Sequence, residues 1–274
     1  KIAITGANGF IGRHVLPVLI DKNHEVVAVV RDKNKFTDRI GDCLLVEHEI
    51  GSENTQTYTH LGEPEVLLHL AWGGLPHYKS LHHIHSELPA QFKFIKYMAE
   101  SGVKHVLVAG TCFEYGMQSG ELNETLATNP VNPYGYAKDA LRKQIQFLQQ
   151  ESEFNLTWMR FFYMYGDDQP ESTLYSQLSA AVRRQETVFN MSGGEQLRDY
   201  LHIDQLAMTI GVLTGKSQDI GVINLCSGIP ISVRRLVEQW KEQNGWDIQL
   251  NLGYYPYPDY EPLAFWGDNR YLKS

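Results

Sequence analysis

Along the first half of the chain, short apolar runs alternate with longer stretches in which apolar residues recur at helical spacing. The apolar runs are KIAIT (1–5), EVVAVV (25–30), CLLV (43–46), VLLHLA (66–71), HVLVAG (105–110) and LTWMRF (156–161). Segments near 10–22, 82–101 and 134–152 read as the helices between them. Nearly continuous Val/Ile/Leu runs signal strands covered on both faces, and strand–helix alternation implies right-handed crossovers in a parallel sheet. The pattern predicts a doubly wound α/β domain.

The pattern changes after about residue 165: DDQPESTLYSQ and MSGGEQLRDY read as loops framing a helix, HIDQLAMTIGVL as a helix and GVINLC as a strand. The last stretch, YYPYPDYEPLAFWGDN, is dense in proline and aromatic residues. These changes predict two domains: a nucleotide-binding one from residues 1–165 and 199–226, and a smaller α+β substrate domain from 166–198 and 227–274. No internal repeat or linker interrupts them.

Composition narrows the classes. With 43% hydrophobic and 20% charged residues in 274, the chain can bury a sizeable core. A net charge of −8 without a long basic run argues against nucleic acid polymers. No run approaches the roughly 18 to 20 apolar residues of a membrane span, and no secretory leader is recognisable, so the expectation is a cytoplasmic protein without a membrane partner. Cys43, Cys112 and Cys226 are far apart and odd in number, which argues against disulfides and a Cys-rich metal site. His77, His82, His83 and His85 lack the convergent spacing of a metal site and read as polar loop and helix surface; no metal is expected.

The chemistry begins at TGANGFIG (5–12), which follows the first strand and opens the first helix. Gly6 permits a tight turn, Gly9 a close approach of backbone to a pyrophosphate, and Gly12 close helix–strand packing. The helix N-terminus offers N–H groups and a positive dipole to phosphates. This is a Rossmann-type dinucleotide signature. The second strand ends in Arg31, with Asp32 one position later. Arg31, helped by Arg13, suits a 2′-phosphate, so NADP(H) is expected, with Asp32 leaving NAD(H) as the other possibility.

Further along, NPYGYAKDA (132–140) places Tyr134 and Lys138 one helical turn apart, a spacing that chance readily supplies in a chain with 15 Tyr. Its context is more specific. TGANGFIG, HLAWGG (69–74), AGTCFEYG (109–116), PYGYAK (133–138), MRFFYMYG (159–166) and RDYLHIDQLA (198–207) occur in the order of the extended short-chain dehydrogenase/reductase family. The chain resembles that family, the nucleotide-sugar epimerase, dehydratase and reductase group, over essentially its whole length.

The resemblance implies that Tyr134 is the general acid/base, that Lys138 lowers its pKa and holds the nicotinamide ribose, and that Thr111 hydrogen-bonds the reacting oxygen. It assigns Phe10, Ile11, Leu70 and Ala71 to the cofactor, and Arg198 to the substrate diphosphate, unless Arg198 instead pairs with Asp199. Tyr163 stands where the family often has a substrate-contacting Asn, and Glu87 where many members have Asn. Tyr136 has Ala140 at the lysine position and is assigned no chemistry.

Cys112 and Phe113 replace the acidic pair that dehydratases of this group carry, which disfavours dehydration. GTCFEYG and EPLAFWGDN resemble the nucleotide-activated 4-keto-6-deoxysugar reductases. The expected activity is therefore NADPH-dependent reduction of a C4 keto group on such a sugar, the dTDP-linked one preferred. The rivals are a 4-epimerase with tightly bound NAD, an epimerase-reductase in which Cys112 or a nearby His moves protons, and a non-catalytic cofactor sensor. Resemblance also implies a homodimer through the helices near 82–101 and 134–152.

Overall fold

In the structure, a computed structural model that describes residues 1–36 and 43–273, strands and helices alternate from the start of the chain. The first half contains β1 (Ile2–Thr5), α1 (Phe10–Asp21), β2 (Val26–Val30), β3 (Leu44–Glu47), α2 (Thr57–His60), β4 (Val66–His69), α3 (Leu88–Ser101) and β5 (His105–Thr111). Next come β6 (Gly120–Leu122), α4 (Pro133–Leu148), β7 (Asn155–Phe161), β8 (Tyr163–Tyr165), α5 (Leu174–Arg183), β9 (Val188–Asn190) and β10 (Leu197–His202). The chain closes with α6 (Ile203–Thr214), β11 (Gly221–Leu225), β12 (Pro230–Ser232), α7 (Val233–Asn244), β13 (Gln249–Asn251), β14 (Phe265–Gly267) and α8 (Arg270–Lys273).

Seven strands form one parallel sheet in the order β11-β7-β5-β4-β1-β2-β3. Alternate residues of a strand face opposite sides, and both sides are covered. Ile2, Ile4, Val26, Ala28 and Val30 pack with α1 and α6 in one cluster, whereas Ala3, Val27 and Val29 pack with α3 and α4 in the other. That double burial explains the unbroken apolar runs. β3 departs from it, since only Val46 is buried; it is an edge strand with one neighbour.

A separate core gathers around Trp240, with Leu178 and Ala181 of α5, Phe189 of β9, and Leu236 and Val237 of α7. Three small sheets, β12-β10-β8, β13-β9 and β14-β6, accompany it. The architecture is thus a Rossmann-like α/β sheet with a smaller mixed substrate subdomain, as the sequence pattern predicts. Among the described residues no helix is long and apolar enough to cross a membrane.

Two features position the site. The order of the large sheet reverses between β1 and β4, and in open α/β sheets ligands bind in the crevice beyond the strand ends at such a point. Asn132 caps α4, accepting from Gly135 N–H at 2.8 Å, with Pro133 in the first turn. Both residues favour a helix start there, which sets Tyr134 and Lys138 on the inward face.

Candidate active site

A cleft opens at the β1/β4 reversal, walled by Gly6, Asn8 and Gly9, by Val29 to Arg31, by His48 to Ile50 and by Leu70 to Gly73. Gly6 has φ +69°, and a Cβ there would lie 2.9 Å from the Ala71 nitrogen. At Gly12 a Cβ would lie 2.3 Å from the Gly6 carbonyl oxygen. No side chain caps α1, whose N-cap is Gly9, and no acid stands in its first turn. An uncapped helix start behind a glycine turn suits an anion, so these residues fit a dinucleotide pyrophosphate. Phe10 and Ile11 begin the helix, and Arg13 donates from Nε to the Asn8 carbonyl at 3.0 Å.

A buried hydrogen-bond chain fixes the opposite wall. Ala71 N–H donates to Thr5 Oγ1 at 3.3 Å, and Thr5 Oγ1 lies 2.9 Å from His69 Nδ1. His69 Nε2 lies 2.5 Å from Gln91 Oε1, Gln91 donates to Glu87 at 2.8 Å, and Gly73 N–H donates to the same carboxylate at 2.9 Å. Because Gln91 Oε1 only accepts, His69 carries its proton on Nε2 and takes the threonine's on Nδ1. Burial holds His69 neutral, its pKa down at about 4, with the nearby Lys138 charge acting the same way. Glu87 therefore anchors the Leu70–Gly73 loop, which the sequence alone did not reveal.

Thr111 ends β5, Tyr134 lies in the first turn of α4, and Lys138 lies one turn further on; all three are buried. Thr111 and Glu114 form a reciprocal capping box on the turn Cys112–Tyr115. Glu114, fully buried, accepts from Thr111 N–H at 2.9 Å, Trp158 Nε1 at 2.8 Å and Arg160 Nε at 2.8 Å. The Thr-x-x-Glu spacing is the sequence signal that identifies this acid. Tyr136, without a lysine partner, is exposed.

Burial pushes the Tyr134 phenol up, with Tyr78, Cys112 and Glu114 adding to the shift and a hydrogen bond with Thr111 opposing it. That direction is opposite to the lowering expected from Lys138. Lys138 itself is brought down to about 7 by burial, against the pull of Glu114 and Glu87. Its Nζ donates to the Ala109 carbonyl at 2.7 Å and stands 6.0 Å from the Tyr134 ring centroid. Low dielectric disfavours the charged form of each group. Burial likewise pushes the Cys112 thiol up, so it stays protonated near neutrality and is a poor proton acceptor.

The surface reading of the histidine cluster fails at His83. It is fully buried, stacks on Trp72 and stands 5.2 Å from the Tyr134 ring. The chain from His83 to Glu87 forms a wider π turn before α3, which gives successive histidines directions that ordinary helical spacing does not predict. Among the described residues no three His, Cys, Asp or Glu side chains converge as a metal site.

A second cleft is lined by Tyr163, Asn190, Gln196, Arg198, Tyr255 and Glu261, among others. Arg198, buried on β10, donates from Nε and Nη2 to Glu261 at 3.0 and 2.7 Å, and from Nη1 to the Leu197 and Leu263 carbonyls. The alternative pairing with Asp199 does not form. Asp199 points the other way, accepting from Ser227, Gly228 and Gly267 backbone N–H groups, as neighbours on a strand must. Glu261 opens the EPLAFWGDN run (261–269), within which no single residue was assigned a role.

The profile of the NAD dependent epimerase/dehydratase family matches residues 2–226. The chain is 33% identical over 269 residues to a dTDP-6-deoxy-L-talose 4-dehydrogenase (NAD(+)) of Aggregatibacter actinomycetemcomitans, covering 97% of this chain and 99% of that one. It is 24% identical to a UDP-glucose 4-epimerase of Halalkalibacterium halodurans, covering 92% of this chain and 82% of the relative. Among solved structures, MoeE5 in complex with UDP-glucuronic acid and NAD superposes with a TM-score of 0.83 at 25% identity, covering 100% of this chain and 91% of that one.

These similarities correct two expectations. NADP(H) preference is overturned: the matched family is NAD dependent, the talose dehydrogenase is named for NAD(+), and MoeE5 holds NAD. The physical counterpart is that Arg31 is exposed and shares the cleft wall with Glu49, whose negative charge opposes a 2′-phosphate. NADPH-dependent 4-keto reduction is overturned with it, because the related proteins include several named 4-epimerases and NAD complexes. Chemistry with NAD at C4, the rival reading, accords with them better.

Proposed function

The chain belongs to the NAD dependent epimerase/dehydratase family and is an NAD(P)-dependent oxidoreductase, and from that premise we propose that it is an NAD-dependent 4-epimerase of a nucleotide-activated hexose. The observation that carries this reading is that Tyr134 meets Thr111, Lys138 and Trp72, and Trp72 lines the glycine-loop cleft. NAD, when bound, supplies the hydride acceptor and donor at C4. Gly6, Gly9 and Gly12 admit its pyrophosphate; Phe10, Ile11, Leu70 and Ala71 line its path.

Tyr134 takes the C4 hydroxyl proton and returns it when the alcohol re-forms. Burial keeps the phenol protonated near neutrality, so Tyr134 accepts the C4 proton only after its own has passed to solvent, a loss the Lys138 ammonium favours, and the protonated phenol then serves the return. Thr111 hydrogen-bonds the C4 oxygen and so orients it. Lys138, poised near 7, changes charge in the working range and biases the tyrosine. Arg198, in the subdomain formed by residues 166–198 and 227–274, serves the diphosphate, and Tyr163, on β8 at the end of the nucleotide-binding domain, serves the sugar. Two copies pair through α3 and α4, where Phe147 is exposed.

The 33% identity with the talose 4-dehydrogenase favours a second reading, net oxidation at C4 by NAD without return of the hydride. One experiment separates them. The protein is incubated with NAD and, in turn, UDP-glucose, UDP-glucuronic acid and dTDP-6-deoxy-L-talose, following the C4 proton by NMR and NADH by absorbance. Inversion at C4 without net NADH is the expected result. Stoichiometric NADH would establish the second reading, and neither signal with any sugar would refute both.

A further inference from the structure

Lys138 is a lysine with little company. It lies at 2% exposure, and among the described residues its Nζ makes one hydrogen bond, to the Ala109 carbonyl. Its Nζ stands 3.8 Å from the centroid of the Trp72 ring. A cation over an indole face is attracted by the ring quadrupole, most strongly when both are shielded from water. Trp72 follows Leu70 and Ala71 in the loop anchored by Glu87 and lines the cofactor cleft.

The indole is itself held. Trp72 Nε1–H donates to His83 Nδ1 at 3.1 Å, and the two rings stack with an interplanar angle of 27°. Since Nδ1 accepts, His83 is neutral with its proton on Nε2, which donates to the His77 carbonyl at 3.1 Å. Both ring nitrogens are engaged, so His83 is not free to exchange protons with Tyr134. Its geometry is that of a bracket.

We propose that Trp72 is a positioning residue that carries the Lys138 ammonium on its indole face, and that His83 fixes the indole in the required plane. The effect is to favour the charged form of Lys138 where burial opposes it. Other groups act on the same ammonium: Glu114 from the turn after β5, Glu87 from the turn before α3, His69 from β4, His83 itself and Tyr134 on α4. The two carboxylates attract it, His69 is neutral, and Tyr134 is protonated near pH 7. The proposal rests on the reading of Lys138 as a site residue only for its consequence, not for the contact.

The test is a titration of Lys138 by NMR on protein carrying 13C-labelled lysine, its resonance identified with Lys138→Met. A cation–π contribution of ordinary size corresponds to about 0.5 to 1 pH unit. Trp72→Leu should lower the Lys138 midpoint by that much, and Trp72→Phe should restore most of it. His83→Phe should lower it by less, and should have no further effect in the Trp72→Phe background, where no ring N–H remains to be held. A midpoint within about 0.2 unit of wild type in folded Trp72→Leu overturns the proposal. If that variant does not fold, an unchanged midpoint in His83→Phe does so. The epimerase reading fails separately: it falls if no nucleotide sugar is turned over, whatever the lysine does.

Discussion

Glu114 makes a sharp test of how the site is held together, because its two oxygens have different partners. Oε1 accepts from Thr111 N–H and Trp158 Nε1, whereas Oε2 accepts from Arg160 Nε. Glu114→Gln can keep its carbonyl oxygen in the Oε1 position and both neutral hydrogen bonds with it. Its amide then points N–H groups at a guanidinium that is 1% exposed. The loss is then electrostatic, taken from the pair with Arg160 and from the longer one that Glu114 Oε2 makes with Arg142 Nε at 3.7 Å. Breaking a buried pair by removing one charge costs about 3 to 5 kcal/mol. Since the cation has a second attraction, the Tyr115 ring 4.4 Å from its Cζ, the lower end, about 3 kcal/mol, is expected.

Urea unfolding followed by tryptophan fluorescence would show a lower midpoint at unchanged slope. Arg160→Met should cost a similar amount. The double variant should cost far less than the sum, because neither then leaves a buried charge behind. A loss below about 1 kcal/mol in Glu114→Gln, or strict additivity in the double variant, would refute the account.

Three further outcomes are expected. Tyr134→Phe should reduce turnover at least about 100-fold while leaving NAD affinity within about threefold; near-normal turnover would remove Tyr134 from the mechanism. Gly12→Ala places a methyl against the Gly6 carbonyl and Ala7 Cα, both backbone atoms, and should weaken NAD binding about tenfold or more by calorimetry. His69 titrates at about 4 when folded and near 6.5 when unfolded, so from pH 6.5 downwards the unfolded chain gains the proton first. Stability should therefore fall by about 3 kcal/mol as pH drops from 6.5 to 4, a loss absent above 6.5. His69→Asn should flatten that part of a urea-midpoint against pH curve, and an equally steep curve would contradict the buried neutral assignment.

Much of the site was legible because its signals are local. The Gly6, Gly9 and Gly12 spacing specifies a turn and a helix start within eight residues, TGANGFIG. Tyr-x-x-x-Lys at 134–138 describes a single turn, and so does Thr-x-x-Glu at 111–114, a signal that went unused until the structure placed Glu114. Apolar runs determined the strands of the large sheet, since double burial leaves no polar alternation. The cofactor preference was misread from the same kind of signal: Arg31 is visible in the sequence, but Glu49 beside the cleft comes from beyond the neighbouring strand β3.

What only the tertiary structure decided are the partners brought from elsewhere in the chain. Trp72 meets Lys138 because β4 and β5 are neighbours in the sheet and α4 packs beneath them. His83 is buried because the wide turn before α3 rotates it inward. Arg198 meets Glu261 because the proline-rich tail folds back over β10. Charge states follow these contacts rather than residue type: the same burial that raises Tyr134 lowers Lys138 and His69. Sequence determines which groups the chain carries; desolvation, a property of the packed molecule, decides which of them hold a proton at pH 7.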